Sequence, residues 1–548
     1  MSYGRSKNEF FNLDGTKQAI VKLASCERLV IYCGAGVTID RTGLTWGDLV
    51  VKLFETSDGN HPGPDPSAAE LNILKQELTP LQLASVLAER TEEHHATEKE
   101  ARYSLIPKLQ QALYTGAGWQ SGALVSNIIR LSSGLVQLGK KVAIITSNYD
   151  IYLEDEYDHY RTELRANPDL KNSPPPDIAG LRVCAAGMKK LFRDVKPEGN
   201  AGRIEILYLH GRVPSKGGLG GRLALSEKDY HYTSDAVVGA LQKSFSQPKT
   251  GILILGTSLS DPPLLKALFH THPYQGEKNT PEWKRVALVP ATSTGFVQYN
   301  ENFDRLVQSL KMRTNHFGVE LLVPDFHFQI AQFCQEILTA IYLSKDTRLY
   351  MAPSSSALYN KRIGRWWSAW QEQERSLGPD HMYKALNQSL KSIKELLGRN
   401  AGEPARELMK VELWVRHDPA SVRRLALWGA STGILEDRSV LHFEELDLNT
   451  NNASVRAFIE GRPQYVARRD LNSNGAAADS RWKSYLSVPI RINLPDGTVP
   501  VGVITLASME EKEHSKIPAG SVREMTSLVN QLTAVGQELL AVRPSTDN

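Results

Sequence analysis

Apolar positions in the first half of the chain gather into four short unbroken runs, and each run ends in glycine or polar residues. Arg28-Leu29-Val30-Ile31-Tyr32-Cys33 enters Gly34-Ala35-Gly36-Val37-Thr38, and Val142 to Ile145 enters Thr146-Ser147-Asn148-Tyr149-Asp150. Leu207-Tyr208-Leu209 ends at His210-Gly211, and Ile252 to Leu255 ends at Gly256-Thr257-Ser258-Leu259-Ser260-Asp261. Runs of this kind, bounded by glycine, predict strands buried on both faces. Four such strands, each delivering small or polar residues at its carboxyl end, predict a doubly wound parallel sheet with a ligand crevice along that edge. Val286 to Val289, ahead of Pro290, predicts a further strand.

Helical spacing fills the intervals. Leu44 to Phe54 repeats apolar residues at helical period, and about Glu70 to Leu138 is mostly helical, with stripes such as Leu83, Val86, Leu87 and Leu105, Leu109, Leu113. Pro80 and Pro107 are expected in first turns, dividing this stretch into separate helices beside the sheet. The Ser57–Pro66 and Asn167–Asp177 segments have loop composition. The charged run Thr91–Glu100 carries His94 and His95, and it reads as a solvated helix or loop rather than a metal site, because adjacent histidines on a helix diverge.

A linker is expected from Thr347 to about Leu358, around Pro353-Ser354-Ser355-Ser356. Beyond Gly378, Met382, Leu386, Leu390, Ile393 and Leu397 form one helical face, with Gly398 the expected stop. Leu408–Val415 and Arg424–Trp428 predict strands, and Val455–Val466 predicts helix, turn and strand. Ser484–Ile490 and Val501–Ser508 predict two strands joined across Pro495-Asp496-Gly497. A closing helix places Met525, Leu528, Leu532, Val535 and Leu539 on one face.

At 548 residues, 41% hydrophobic and 23% charged, the chain is globular and too long for one core, so two or three domains are expected. A net charge of +3 leaves no nucleic-acid footprint, and Arg423-Arg424 and Arg468-Arg469 read as solvated faces. The four cysteines, Cys26, Cys33, Cys184 and Cys334, are widely spaced; no Cys-x-x-Cys pair exists, which argues against a zinc ribbon. With no apolar leader at the start and no stretch able to span a bilayer, the expectation is a cytoplasmic protein with free thiols and no membrane partner.

Taken in order, Gly-Ala-Gly, Thr-x-Asn-x-Asp, His-Gly and Gly-Thr-Ser resemble the sirtuin family, specifically its sirtuin-like NAD-hydrolase branch, over roughly the first half of the chain. The Ser484–Ile490 strand, the Val501–Leu506 strand and the final helix resemble a GAF domain, a small-molecule sensor module. The resemblances imply a Rossmann-like α/β domain with a helical insertion over residues 1–345. A linker over 346–378 and a smaller α+β GAF-like domain over 379–548 would follow.

The sirtuin resemblance implies NAD as substrate. The backbone of Gly34, Ala35 and Gly36 would approach the pyrophosphate, because glycine and a helix amino end admit a phosphate closely. Thr38 stands where serine is more usual and would donate to phosphate. Asn148 and Asp150, two apart at a strand end, point to the same side. By the resemblance Asn148 orients the nicotinamide ribose or the attacking water, and Asp150 contacts the carboxamide. His210 would meet the ribose hydroxyls and act as base, with an ordinary pKa of about 6.5. Gly256, Thr257 and Ser258 would meet the adenosine half; Asp261 belongs either with them or to a helix N-cap.

Two departures bear on the reaction. Protein deacetylases of the family carry a zinc ribbon, absent here, and Asp-Phe-Arg where this chain has Thr45-Trp46-Gly47. Hydrolysis of NAD itself needs no peptide groove. The expected function is an NAD glycohydrolase effector gated by the sensor domain, and the resemblance implies a role in bacterial defence against phage. The alternatives are a zinc-free deacylase or ADP-ribosyltransferase, or a non-catalytic NAD- or nucleotide-binding regulator. Expected partners are a small-molecule or nucleotide activator at the GAF-like domain and further copies of the chain, assembled through helices that otherwise simply cover the sheet.

Overall fold

The computed structural model describes residues 10–55, 68–114, 123–166, 180–185, 202–218, 221–272, 284–291, 301–342, 358–401, 407–419, 423–433, 441–447, 450, 452–467, 482–494, 497–511, 514–515, 517 and 522–542. The loops expected at Ser57–Pro66 and Asn167–Asp177, the Ser354–Ser356 stretch, Arg468-Arg469 and the Pro495-Asp496 turn lie outside them.

The apolar runs form β1 Arg28–Cys33, β2 Lys141–Thr146, β4 Arg203–Tyr208, β5 Thr250–Leu255 and β6 Lys284–Leu288, joined by β3 Gly180–Ala185 and β7 Glu320–Leu322. All seven pair in parallel, in the order β3-β4-β2-β1-β5-β6-β7. Every residue of β1 and β5 is buried, which is why neither run alternates with polar residues. Helices Asp14–Ala24, Ala123–Gln137 and Phe328–Tyr342 cover one face, against Leu29, Ile31, Val142 and Ile144. Helices Glu227–Phe245, Pro262–His270 and Glu301–Asn315 cover the other, against Val30, Tyr32, Ile252 and Ile254. β2, β4 and β3 lie to one side of β1 and β5, β6 and β7 to the other, so the strand order reverses between β1 and β5. An open α/β sheet leaves its crevice at that reversal.

A helical lobe stands over this edge: Trp46–Glu55, Ala68–Glu77, Pro80–Glu93 and Glu98–Tyr114, around Leu49, Val50, Leu53, Leu83, Leu87, Leu105 and Leu109. Pro80 opens its helix behind a Thr79–Gln82 capping box. Pro107 does not open one; it sits inside Glu98–Tyr114. Leu105, Ile106 and Leu109 around it are buried, and that burial offsets the roughly 3 kcal/mol that an interior proline costs a helix. His94 caps the end of the Pro80–Glu93 helix, with Nδ1 2.7 Å from the Arg90 carbonyl oxygen.

The second half builds a separate antiparallel sheet from β8 Met409–His417, β9 Arg424–Ala430, β10 Phe443–Glu445, β11 Gln464–Ala467, β12 Ser484–Leu494 and β13 Gly497–Ser508. The order is β10-β9-β8-β13-β12-β11. Helices Ala453–Glu460 and Val522–Leu540 pack on β12 and β13, and helix Pro379–Ala401 packs on β8 and β9. Gly398 does not stop that helix, which runs on to Ala401. Glycine costs a helix interior only about 1 kcal/mol, and without a left-handed turn it is no terminator.

The expected linker is helical from Leu358 to Leu377. Its face of Ile363, Trp366, Trp367 and Trp370 is buried, and the Trp366 and Trp370 indole N–H groups donate to the Leu540 and Leu539 carbonyls at 2.9 Å each. Arg423 and Arg424 are not a solvated face either. Arg423 pairs with Asp325 at 3.6 Å, and the Arg424 guanidinium lies 3.9 Å from the centre of the Phe443 ring. All four cysteines are buried free thiols. Among the described residues no helix is long and apolar enough to cross a membrane, and no metal-ligating side chains cluster.

Candidate active site

A cleft of about 750 Å³ opens at the carboxyl ends of β1, β2, β4 and β5, between the sheet and the helical lobe. Gly34, Ala35, Gly36, Thr38, Asn148, Asp150, His210, Gly256, Thr257, Ser258 and Asp261 all line it. Residues up to 227 positions apart in sequence thus share one cavity because each follows a neighbouring strand of one parallel sheet.

The glycines answer first to one another. A Cβ on Gly34 would sit 2.5 Å from the Gly256 carbonyl oxygen, and one on Gly36 would sit 2.9 Å from Gly256 Cα. Gly256 itself has φ +66°, and a Cβ there would lie 2.4 Å from Val37 N. The turns after β1 and β5 therefore cross backbone to backbone. The Gly34 and Gly36 amides are spent in this crossing, on the Leu255 and Gly256 carbonyls at 2.9 and 2.8 Å. The floor of the cleft is bare main chain as a result.

Thr38 connects the β1 and β2 sides. Its hydroxyl donates to Asp150 Oδ2 at 3.1 Å and accepts from Asn148 Nδ2 at 3.3 Å. Asn148 N–H donates to the Thr146 hydroxyl at 3.0 Å, fixing the turn as it leaves β2. Asp150 also accepts from Tyr152 N–H at 3.2 Å, and burial nonetheless pushes its carboxyl up to about 6. Arg41, whose charge works the other way, forms a buried pair with Glu156.

His210 follows β4, whose continuation is pinned by Leu209 N–H donating to the Thr146 carbonyl at 2.9 Å. Its own carbonyl accepts from Ala224 N–H, and Gly211, at φ +105°, turns the chain where a Cβ would meet the Arg222 oxygen at 2.9 Å. The imidazole is 1% exposed and lies 4.5 Å from the Tyr230 ring at 33°. Neither ring nitrogen has a hydrogen-bond partner. Burial holds its pKa down at about 4, so at neutral pH the ring is uncharged.

On the β5 side, Leu259 adopts the left-handed region at φ 56°, its N–H given to the Thr257 hydroxyl and its carbonyl accepting from Arg313. The Ser258 and Ser260 hydroxyls meet at 2.6 Å. Asp261 is the N-cap residue of Pro262–His270, and its carboxylate accepts from the Tyr32 hydroxyl at 2.8 Å. Burial raises its pKa.

Sequence reasoning missed Trp46, Leu81, Tyr230 and His327, which complete the walls. Trp46 stands 5.8 Å from Tyr149. His327 lies beyond the three-residue β7, a strand too short to mark its carboxyl end in the sequence. None of the described residues lining the cleft is lysine or arginine.

No curated protein matches this chain. A family model described as the SIR2-like domain matches residues 142–313, a span that holds Asn148, Asp150, His210 and the Gly256–Asp261 loop. That match supports a sirtuin-like domain in the parallel-sheet half of the chain, and domains of this family use NAD.

Proposed function

We propose that this chain hydrolyses NAD+ to nicotinamide and ADP-ribose. The observation that carries the reading is His210: a neutral, fully buried imidazole with both nitrogens unpartnered, in one cleft with Asn148 and Asp150. Breaking the nicotinamide–ribose bond builds oxocarbenium character on the ribose, and the ionised Asp150 favours a cationic substrate ring beside it. Asn148, its amide oriented by Thr38, holds the ribose or the incoming water. Water then attacks the anomeric carbon, nicotinamide leaves with the bond pair, and His210 accepts the proton released by the water. The pyrophosphate contacts are assigned to Gly34, Ala35 and Gly36, and the adenosine half to Gly256, Thr257, Ser258 and Asp261. Thr38 is engaged with Asn148 and Asp150, which favours an orienting role over a phosphate contact.

In this reading residues 1–345 are the catalytic unit and 379–548 a GAF-like sensor that gates it, binding a small molecule or nucleotide and assembling the chain into a homo-oligomer. The setting is the bacterial cytoplasm, in defence against phage, where uncontrolled loss of NAD would kill the cell. The Leu358–Leu377 helix is bonded to the carbonyl end of Val522–Leu540 and, through Arg362, to Gln335 of the parallel-sheet half, which supports a mechanical connection between the units. Incubating the full chain with NAD+, with and without an acceptor protein, tests the reading. Free nicotinamide and ADP-ribose in equal amounts without acceptor are expected; nicotinamide release that requires an acceptor would replace hydrolysis with group transfer.

A further inference from the structure

Among the described residues, a short segment of the antiparallel-sheet unit, Phe458–Arg462, at the carboxyl end of the Ala453–Glu460 helix, reaches the walls of the cleft. The Ile459 carbonyl accepts the His327 N–H at 3.1 Å. Phe458 stands edge-on to Phe326 and Phe328, with centroids 5.9 and 5.4 Å away. Gly461 turns the chain at φ +66°, and a Cβ there would lie 3.7 Å from His327 Cβ. Arg462 Nη1 donates to the Gly43 carbonyl at 3.4 Å, while its Nε is held by Glu460 at 2.9 Å. Gly43 lies between Thr42 and Leu44, which line the cleft, and His327 lines it too. A five-residue segment of the antiparallel-sheet unit therefore touches two cleft walls that are 284 positions apart in sequence.

The segment is itself tied into its own unit. Arg491 Nη2 donates to the Gly461 carbonyl at 2.7 Å, and the Arg491 carbonyl accepts from Gln537 Nε2 of the Val522–Leu540 helix at 3.1 Å. A chain of direct contacts runs from that helix through Arg491 and Gly461 to the walls of the cleft.

We infer that Phe458–Arg462 positions the cleft walls for substrate, with Arg462 acting through Gly43 and the Ile459 carbonyl through His327, and that this segment is a route by which the second unit gates the first. The inference rests on the NAD-hydrolase reading. Each polar contact is individually worth little, so a single substitution changes substrate binding by a modest factor rather than abolishing folding. Coupling of this kind is reciprocal: if the segment sets the walls, a ligand that orders the walls orders the segment.

Hydrogen exchange on the full chain, with and without NAD+, reads the coupling, and the kinetics of Arg462→Ala and Arg462→Lys read the positioning. NAD+ is expected to protect Asn148–Tyr152 and, with them, the amides of His327 and Phe458–Gly461. Arg462→Ala is expected to raise KM about 3- to 10-fold, the scale of one hydrogen bond, with kcat and melting temperature unchanged. Arg462→Lys should recover part of the loss. Protection that stops at the parallel-sheet unit, or an Arg462→Ala enzyme with wild-type KM, overturns the inference and leaves the NAD reading standing. No protection at Asn148–Tyr152 overturns both.

Discussion

The Thr38 hydroxyl donates to Asp150 Oδ2 at 3.1 Å, and through the same oxygen it receives the Asn148 side-chain amide at 3.3 Å. One hydroxyl thereby fixes the two polar groups that leave β2. Thr38→Ser keeps donor and acceptor, whereas Thr38→Val keeps the shape and loses both. We predict near wild-type nicotinamide release for the serine variant and a loss on the order of 100-fold for valine, the cost of a misplaced reacting geometry. Equal rates in the two variants would remove Thr38 from the site's machinery.

The titration of the cleft follows from burial. His210, held down at about 4, is already neutral where Asp150, pushed up to about 6, is still losing its proton. The pH dependence of kcat/KM should therefore fall below about pH 6, as the carboxylate that favours the cationic substrate is protonated. In Asp150→Asn the acid limb should move down toward about 4. An unmoved limb would place its origin elsewhere.

The same groups act on stability in opposite senses. The unfolded histidine titrates near 6.5, so between about 4 and 6.5 the unfolded chain binds more protons at this position and stability rises with pH. Asp150 does the reverse: its folded pKa of about 6 exceeds the unfolded value of about 3.9, so its contribution falls as pH rises through that window. His210→Ala removes the rising contribution. Relative to wild type, its melting temperature should decline from pH 4 to pH 6, as thermal melts across that range would show.

None of the described residues lining the cleft is lysine or arginine, and the Gly256–Asp261 loop adds a carboxylate. A 2′-phosphate on the adenosine ribose would be buried there without a counter-charge. We expect kcat/KM for NADP+ to lie on the order of 100-fold or more below that for NAD+. Comparable turnover of the two would refute the placement of the adenosine half.

Gly256→Ala should damage fold and cleft together. The new methyl meets Val37 N at 2.4 Å in a left-handed backbone, at a cost on the order of 1–3 kcal/mol before any relaxation. Gly217, at φ +89° with nothing within 4 Å, supplies the control, since alanine there meets only the backbone strain. A larger drop in melting temperature at Gly217 than at Gly256 would contradict the crossing of the two turns.

Much of the parallel sheet was legible because strands buried on both faces leave unbroken apolar runs, as in β1, β2 and β5. β3 escaped because it is an edge strand, partly exposed and broken by Arg182; β7 is only three residues long. Missing β7 also hid His327. The Gly34-Ala35-Gly36 motif could be read, but its packing reason could not, since the atom it must clear belongs to Gly256, distant in sequence. Local propensity points to Pro107 as a first-turn residue and Gly398 as a stop; packing overrules the first, and the second lacks the left-handed turn a terminator needs. The Leu358–Leu377 helix was hidden by the composition just ahead of it, although its tryptophans recur at helical spacing. The segment Phe458–Arg462 carries no sequence signal for its contact with Gly43 and His327, because that contact joins residues far apart in sequence.

The most direct measurement is nicotinamide release from NAD+ by the purified full chain beside its His210→Ala variant, with circular dichroism confirming that both are folded. The account predicts nicotinamide and ADP-ribose from the wild-type chain and a rate 100- to 10,000-fold lower, in order of magnitude, from the variant. A folded His210→Ala protein that matches the wild-type rate, or a wild-type chain that releases no nicotinamide, would contradict it.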